Sequence, residues 1–286
     1  MKKIFFHVGL EKCGSTLIQA YMNEHHVNAA LDKLGLRQNI NIIHTPFRDT
    51  PASTDQLKMT LFNPDRSENG MFATQESFTW FTHSKTEPDR HVQMLDMLKE
   101  LTRSYEVHPI IVVRRQDGFI QSLYNQLVKR GEVRDFPTFF SDLPLERYDW
   151  NIVCDLYAEA FGRENLTVIP MERQCYGPVK AKNFLEGMLH AVGLTKIKVD
   201  MKSLPILNPS LAARVVEVQR LANQMLLNNE ASWLAEQFER HIPKLPDDKH
   251  TFLTDELSAE IHERYRAANQ RLFETYMSEF DASYYL

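Results

Sequence analysis

The segment of residues 4–17, which reads IFFHVGLEKCGSTL, constrains the fold more than any other part of the sequence. It opens with an apolar run, continues through a stretch that holds Gly9 and Gly14, and then shows apolar residues at helical spacing. This pattern predicts a strand, a glycine-containing loop and a helix in succession. The first N–H groups of a helix lack acceptors within the helix and lie at the positive end of its dipole. The unit therefore predicts an anion site that is suited to phosphate.

Polar residues in and after this loop strengthen that prediction. Lys12 contributes a mobile positive charge, and Ser15 and Thr16 place hydroxyls beside the first free N–H groups. The ATP-binding P-loop has a similar spacing, but in it a lysine directly follows the second glycine. Here Ser15 takes that position, and the lysine lies two residues before Gly14. An ordinary strand-to-helix turn with a surface lysine is the alternative interpretation.

A lysine before the glycine, with hydroxyl residues after it, resembles the 5′-phosphosulfate loop of the sulfotransferases that use 3′-phosphoadenosine 5′-phosphosulfate (PAPS). The usual form of that loop is Pro-Lys-x-Gly followed by two Ser or Thr residues. Glu11 stands where that family usually has proline. The resemblance implies that the 5′ side of the nucleotide is bound by Lys12, Cys13, Gly14, Ser15 and Thr16.

The rest of the chain is predicted to alternate between strands and helices, with the first helix fading near Gly35. Strands are predicted at 42–43, 70–74, 107–113 and 166–169, and helices at 56–62, 91–103, 116–126, 150–161 and 179–192. Residues 208–286 are predicted to be mostly helical and packed on the core. This alternation predicts an α/β fold with a doubly wound parallel sheet, in a single domain of residues 1–286. The resemblance implies the P-loop NTPase-like arrangement in its sulfotransferase form.

A second anion site is predicted where the strand 107–113 ends. Arg114 and Arg115 follow it directly, at the edge of the sheet where ligands of open α/β sheets bind. In PAPS-dependent sulfotransferases, an arginine at such a strand end and a serine eight residues later hold the 3′-phosphate. Arg114 and Ser122 match this spacing, and Tyr124 follows as an aromatic residue often does in the family. Surface ion pairs of the arginines and a solvent-facing serine are the alternative.

The resemblance further implies in-line transfer of the sulfuryl group from PAPS to a hydroxyl or amine of an acceptor. Lys12 would stabilise the charge that builds on the bridging oxygen of the departing nucleotide. No metal is expected. The Arg-Lys-Gly triplet of the small-molecule sulfotransferases has no match here, which favours a bacterial or carbohydrate-type member with a carbohydrate or small-molecule acceptor.

The acceptor hydroxyl needs a base within hydrogen-bond reach. Glu76, just after the predicted strand 70–74, is the candidate, because carbohydrate sulfotransferases carry a catalytic glutamate in a comparable position. His44 and His83 are alternatives, since the small-molecule branch uses histidine. Glu76 is also explained as an acid at a helix start, stabilised by the helix dipole.

Charge and cysteine content restrict the remaining classes. The net charge of −5 gives no support to binding of nucleic acid or an anionic membrane, so the anion site must be a local basic patch. No apolar run has the length of a membrane span, and a soluble, cytoplasmic protein is expected. Cys13, Cys154 and Cys175 are scattered, so they predict neither disulfides nor a zinc site.

Two other functions share the predicted architecture. A P-loop kinase of a small metabolite would have a lysine directly after Gly14 and an acidic magnesium ligand at a strand end. A non-catalytic nucleotide-binding protein of the same fold would bind PAPS or the bisphosphate without transfer. The sequence predicts no oligomeric state.

Overall fold

A computed structural model describes residues 2–40, 70–74, 88–177, 179–202, 204, 210–243, 245 and 252–286. The described strands are β1 (Lys2–Gly9), β2 (Leu36–Ile40), β3 (Gly70–Thr74), β4 (Tyr105–Val113) and β5 (Thr167–Pro170). The described α-helices are α1 (Ser15–Met22), α2 (His25–Lys33), α3 (Pro88–Thr102), α4 (Gln116–Lys129), α5 (Phe136–Ser141), α6 (Trp150–Phe161), α7 (Phe184–Ala191), α8 (Ala213–Met225), α9 (Asn228–His241) and α10 (Asp255–Tyr276). Short 3₁₀ helices lie at Leu145–Tyr148, Arg163–Asn165 and Arg173–Tyr176.

The five described strands form one parallel sheet in the order β2-β3-β1-β4-β5. With its flanking helices this sheet confirms the predicted α/β class. After β1 the chain passes to β2 and β3 on one side, and later to β4 and β5 on the other, so the strand order reverses between β1 and β4. Ligands of open parallel sheets bind at such a point, outside the carboxyl ends of the strands.

Burial explains why these segments are strands. Ile4, Phe6 and Val8 of β1 are at most 2% exposed, and four successive residues of β4, 110–113, are fully buried. A strand buried at successive positions is covered on both faces, as the middle strands of a parallel sheet are. The unbroken apolar run in the sequence is therefore the expected pattern.

The structure differs from the sequence-based expectation in the first connection and in one later helix. The sequence predicts one helix that fades near Gly35, but α1 and α2 are separate helices, and β2 follows that glycine, whose φ is 69°. The helix expected at 179–192 begins only at Phe184, because the Asn183 side chain accepts the N–H of Glu186 at 3.0 Å and caps α7. The elements expected at 42–43 and 56–62 lie outside the described residues.

The chain divides into two compact units. The first comprises residues 1–114, 146–204 and 267–286 and contains all the described strands, and the second comprises 115–145 and 205–266. The expectation of a single domain stays a prediction. Among the described residues, no helix has the length and apolar character that a membrane span requires.

The second unit has its own aromatic core. The Tyr124 ring lies 5.0–5.1 Å from those of Phe136, Phe139 and Phe252, measured between centroids. In the same unit the buried Asn125 side chain accepts the N–H of Leu211 at 3.0 Å and donates to its carbonyl at 3.2 Å. This two-sided contact joins α4 to the chain segment that leads into α8.

Candidate anion-binding site at the carboxyl edge of the sheet

The loop between β1 and α1 has two residues in the left-handed backbone conformation, which also occurs in anion-binding turns. Lys12 and Gly14 both have positive φ angles, 60° and 82°. Alternation of left-handed and right-handed residues turns successive N–H groups toward one point. The loop is fastened at its start, because the Leu10 N–H donates to the Val112 carbonyl at 3.1 Å. The buried Ser15 hydroxyl closes the turn by donating to the Leu10 carbonyl at 3.3 Å.

Helix α1 directs its N-terminus into this loop. Gly14 is its cap residue and has no side chain to block the N–H groups. The first intrahelical bond runs from the Ile18 N–H to the Gly14 carbonyl at 2.9 Å. The N–H groups of Ser15, Thr16 and Leu17 therefore have no acceptor within the helix. The Thr16 side chain is exposed, whereas the Ser15 hydroxyl is occupied inside the loop.

Gly14 is required by its neighbours as well as by its φ angle. A Cβ atom at this position would lie 2.9 Å from two ring carbons of Phe184 and 3.8 Å from the Met171 methyl. Phe184 begins α7, and Met171 directly follows β5. The Phe184 ring thus packs against the loop and leaves no room for a side chain at position 14.

Arg114 reaches the same loop from the end of β4. Its guanidinium donates through Nη1 to the Lys12 carbonyl at 3.2 Å, although the two residues are 102 positions apart. The Arg114 carbonyl accepts the indole N–H of Trp150 at 2.8 Å, which holds the backbone of this turn. Lys12 and Arg114 are both half-buried. The Arg114 guanidinium therefore lies against the backbone of the loop that contains Lys12, into which α1 also directs its positive end.

The second arginine has a different role. The Arg115 guanidinium donates to both carboxylate oxygens of Asp117 at 2.8 Å. Burial tends to raise the pKa of Asp117, but the bonds and charge of Arg115, with the Ser258 hydroxyl and the Gly118 N–H, outweigh it, so that pKa lies below its usual value. Of the predicted arginine pair, Arg115 thus forms the ion pair of the alternative interpretation, and Arg114 contacts the loop.

Ser122 and Tyr124 belong to α4 in the second unit. Ser122 is half-buried, and its proposed contact with the same nucleotide as Arg114 stays a prediction. Tyr124 is 1% exposed and donates its hydroxyl to the Arg134 carbonyl at 3.0 Å. It belongs to the aromatic core of its unit.

Cys13 is fully buried within the loop. Burial raises the pKa of its thiol well above the usual value, and the nearby Arg114 opposes this only in part. The thiol therefore stays protonated near neutral pH and lacks the thiolate that reactive cysteines need. Cys13 acts here as a small apolar residue of the loop.

Sequence reasoning missed a polar contact beside the loop. The Tyr285 hydroxyl donates to a Glu172 carboxylate oxygen at 2.5 Å, although Tyr285 is fully buried. Burial first, and then the charge of Glu172, raises the pKa of this tyrosine. Glu172 also acts electrostatically on Cys13. No sequence pattern relates two residues that are 113 positions apart. Only the apolar residues next to each of them could have indicated that these parts of the chain are buried.

A second contact that sequence reasoning missed is a hydrogen bond between side chains of the neighbouring strands β1 and β3. His7 is fully buried and shares a hydrogen bond of 2.8 Å between its Nδ1 and the Thr74 hydroxyl oxygen. Burial lowers the pKa of His7 to about 4, so the ring is neutral near neutral pH. A lone histidine within the apolar run of β1 was the available signal.

The candidate bases Glu76, His44 and His83 lie outside the described residues. Within the described residues, no cluster of three or more His, Cys, Asp or Glu side chains is arranged to hold a metal ion. Comparison with known proteins finds no matching family model and no matching curated protein.

Proposed function

We propose that this chain transfers the sulfuryl group of PAPS to a hydroxyl or amine of a carbohydrate or small-molecule acceptor. One observation carries the proposal, namely the hydrogen bond of 3.2 Å from the Arg114 guanidinium to the Lys12 carbonyl. This bond joins the loop that contains Lys12 to the end of β4. The resemblance implies that these two segments contact the 5′ and the 3′ phosphate of one nucleotide. We expect the reaction to take place in the cytoplasm.

The binding roles follow from the donors that each residue offers. The amides of Gly14, Ser15 and Thr16 at the start of α1, together with the Lys12 ammonium, suit the 5′ side of the nucleotide. The Arg114 guanidinium has five N–H donors, and one contacts the Lys12 carbonyl. The others suit a 3′-phosphate, which planar guanidinium groups bind with two parallel bonds. Ser122 is the expected further contact of this phosphate.

The proposed chemistry is a single in-line displacement. When bound, PAPS supplies a sulfuryl group on its 5′-phosphate. The acceptor oxygen or nitrogen forms a bond to sulfur while the bond from sulfur to the bridging phosphate oxygen breaks, and the electron pair stays on the departing 3′,5′-bisphosphate. Lys12 stabilises that negative charge more in the transition state than in the ground state. The acceptor proton passes to a base, for which Glu76 is the candidate, with His44 and His83 as alternatives.

Ser15 separates this proposal from the kinase alternative. It occupies the position at which a P-loop carries lysine, and its side chain is 4% exposed and bonded to the Leu10 carbonyl. The loop cation instead comes from Lys12, before the glycine. A transferase differs from a non-catalytic nucleotide-binding protein in transferring the sulfuryl group to an acceptor, so binding and transfer are measured separately.

The test compares the thermal stabilisation of the protein by 3′-phosphoadenosine 5′-phosphate (PAP), by ADP and by ATP with magnesium. A ligand at about 100 times its Kd stabilises the folded state by about 2.7 kcal/mol. For a protein of this size, with an unfolding entropy of about 2.1 cal/mol/K per residue, that corresponds to a rise in Tm of roughly 4–5 °C. We expect PAP to give the largest rise. A larger rise with ATP and magnesium would contradict the proposal and favour a kinase.

Transfer is then measured with labelled PAPS and a panel of carbohydrates and small alcohols. We expect label in at least one acceptor with the unaltered protein, and none with Lys12→Ala, which should keep its fold because Lys12 is half-buried on a loop. PAP binding without transfer to any acceptor would support the non-catalytic alternative.

A further inference from the structure

The helical pair α8 and α9 of the second unit carries an apolar surface at its connecting end. This surface consists of large apolar side chains of α8, α9 and their connection, each with 40% or more of its surface exposed. They are Val218, Leu221, Met225, Leu226, Leu227 and Trp233, here called the hairpin patch. Monomeric proteins rarely expose a contiguous apolar area of more than a few hundred Å², and larger patches indicate an interaction surface.

The hairpin patch has both a protruding and a receiving part. Met225, at the end of α8, is 84% exposed and is the most exposed large apolar residue of the described chain. Beside it lies a groove of about 620 Å³ lined by Leu226, Asn229, Glu230, Trp233 and Leu234. A surface that carries a knob next to a groove can pair with itself about a two-fold axis, since each copy then fills the groove of the other.

The charges within the patch do not favour an anionic partner. Residues 218–239 contain one basic residue, Arg220, which is paired with Glu217, and three glutamates, Glu230, Glu236 and Glu239. Surfaces that bind nucleic acid or anionic membranes are rich in lysine and arginine instead. Glu230 is also occupied, because its carboxylate accepts the Leu227 N–H at 3.0 Å and caps α9. The groove thus offers mainly apolar contacts, which suits another apolar surface of the same kind.

From the knob, the groove and the low number of basic residues in the patch, we propose that the hairpin patch is a homodimer interface in which Met225 of each copy enters the groove beside Trp233 of the other. The six side chains expose roughly 500 Å² in each copy, since large side chains present about 100–200 Å² when free. A dimer would bury about 1,000 Å² in total, which is the lower limit of specific interfaces. The dimer should therefore dissociate in the micromolar range. This inference does not depend on the proposed function.

The test is sedimentation equilibrium of the full chain between about 1 and about 100 µM. We expect a reversible monomer–dimer equilibrium in the unaltered protein and a weakening of at least about tenfold in Met225→Glu. Ile152→Glu is the matched control, because it adds the same charge at a residue that is 41% exposed on α6, in the first unit, and should leave the dimer unchanged. Circular dichroism establishes that both variants are folded.

A second arm mixes the protein with vesicles of neutral phosphatidylcholine and measures flotation. The proposal expects no flotation. A protein that stays monomeric at every concentration would overturn the proposal whether or not it floats with the vesicles. So would a dimer that Met225→Glu and Ile152→Glu weaken equally.

Discussion

Replacing Gly14 with alanine should destabilise the protein for two reasons. The energetic cost of each can be measured separately with a matched control variant. The first is the backbone, since φ is 82°, a conformation that costs a residue with a Cβ about 1–2 kcal/mol. The second is space, since the new Cβ would lie 2.9 Å from two ring carbons of Phe184. Overpacking of this kind costs about 1–3 kcal/mol. Because the lower entropy of the unfolded alanine chain offsets up to about 1 kcal/mol, the free energy of unfolding should fall by about 2–4 kcal/mol.

Gly193 offers a matched control in the same unit. Its φ is 89°, but a Cβ there would meet only the Leu34 Cδ1, at an ordinary 3.7 Å. Gly193→Ala should therefore cost only the backbone part, about 1 kcal/mol after the lower entropy of the unfolded alanine chain is counted. The difference between the two variants, about 1–3 kcal/mol, is the contribution of the Phe184 ring.

Urea unfolding monitored by circular dichroism measures both changes. Phe184→Leu alone should destabilise the protein, because it removes part of a ring that is 4% exposed. Combined with Gly14→Ala, it should cost less than the sum of the single changes, since the smaller side chain makes room for the new methyl. Equal losses in Gly14→Ala and Gly193→Ala, or strict additivity with Phe184→Leu, would refute this account of the loop.

Three further predictions concern contacts elsewhere in the first unit. Burial lowers the pKa of His7 to about 4 from 6.5, so the unfolded chain binds more protons between these values, and unfolding free energy should fall by up to about 3 kcal/mol from pH 7 to pH 4. Urea titrations of His7→Gln should lack this part of the pH dependence; an unchanged dependence would contradict it. Tyr285→Phe should cost about 1–2 kcal/mol by loss of the bond to Glu172, and Glu172→Gln should add little in that background; full additivity would argue against the contact. Gly70→Ala should disrupt pairing of β1 with β3, because its Cβ would lie 2.0 Å from the Lys3 carbonyl oxygen; a variant with native stability would refute this.

The local part of the site was predictable from the sequence because its information is local. A buried strand, positive-φ glycine and a helix start are consecutive in residues 4–17, and each has a residue signature. The strands β3, β4 and β5 were recognisable for the same reason. The sequence of β2, Leu-Arg-Gln-Asn-Ile, lacks such a signature. Its strand conformation depends on pairing with β3, which comes 30 residues later in the chain.

Contacts between distant segments were beyond sequence reasoning. Spacing alone predicted that Arg114 and Arg115 both reach the sheet edge, but only the structure shows that Arg115 pairs with Asp117 while Arg114 bonds to the Lys12 carbonyl. The His7 and Thr74 pair depends on strand register, which the pairing of β1 with β3 sets. A single-residue shift would turn each side chain to the opposite face.

The most direct test of the proposed nucleotide site is calorimetric titration of PAP and of AMP into the unaltered protein, Arg114→Ala and Arg115→Ala. The account predicts that Arg114→Ala weakens PAP binding by about 10–100-fold, because charge-assisted bonds to the 3′-phosphate are lost, and changes AMP affinity much less. Arg115→Ala should bind PAP within about threefold of the unaltered protein, since Arg115 already pairs with Asp117. Equal PAP affinity in Arg114→Ala and the unaltered protein would contradict the central claim that Lys12 and Arg114 form one site for a 3′,5′-bisphosphate.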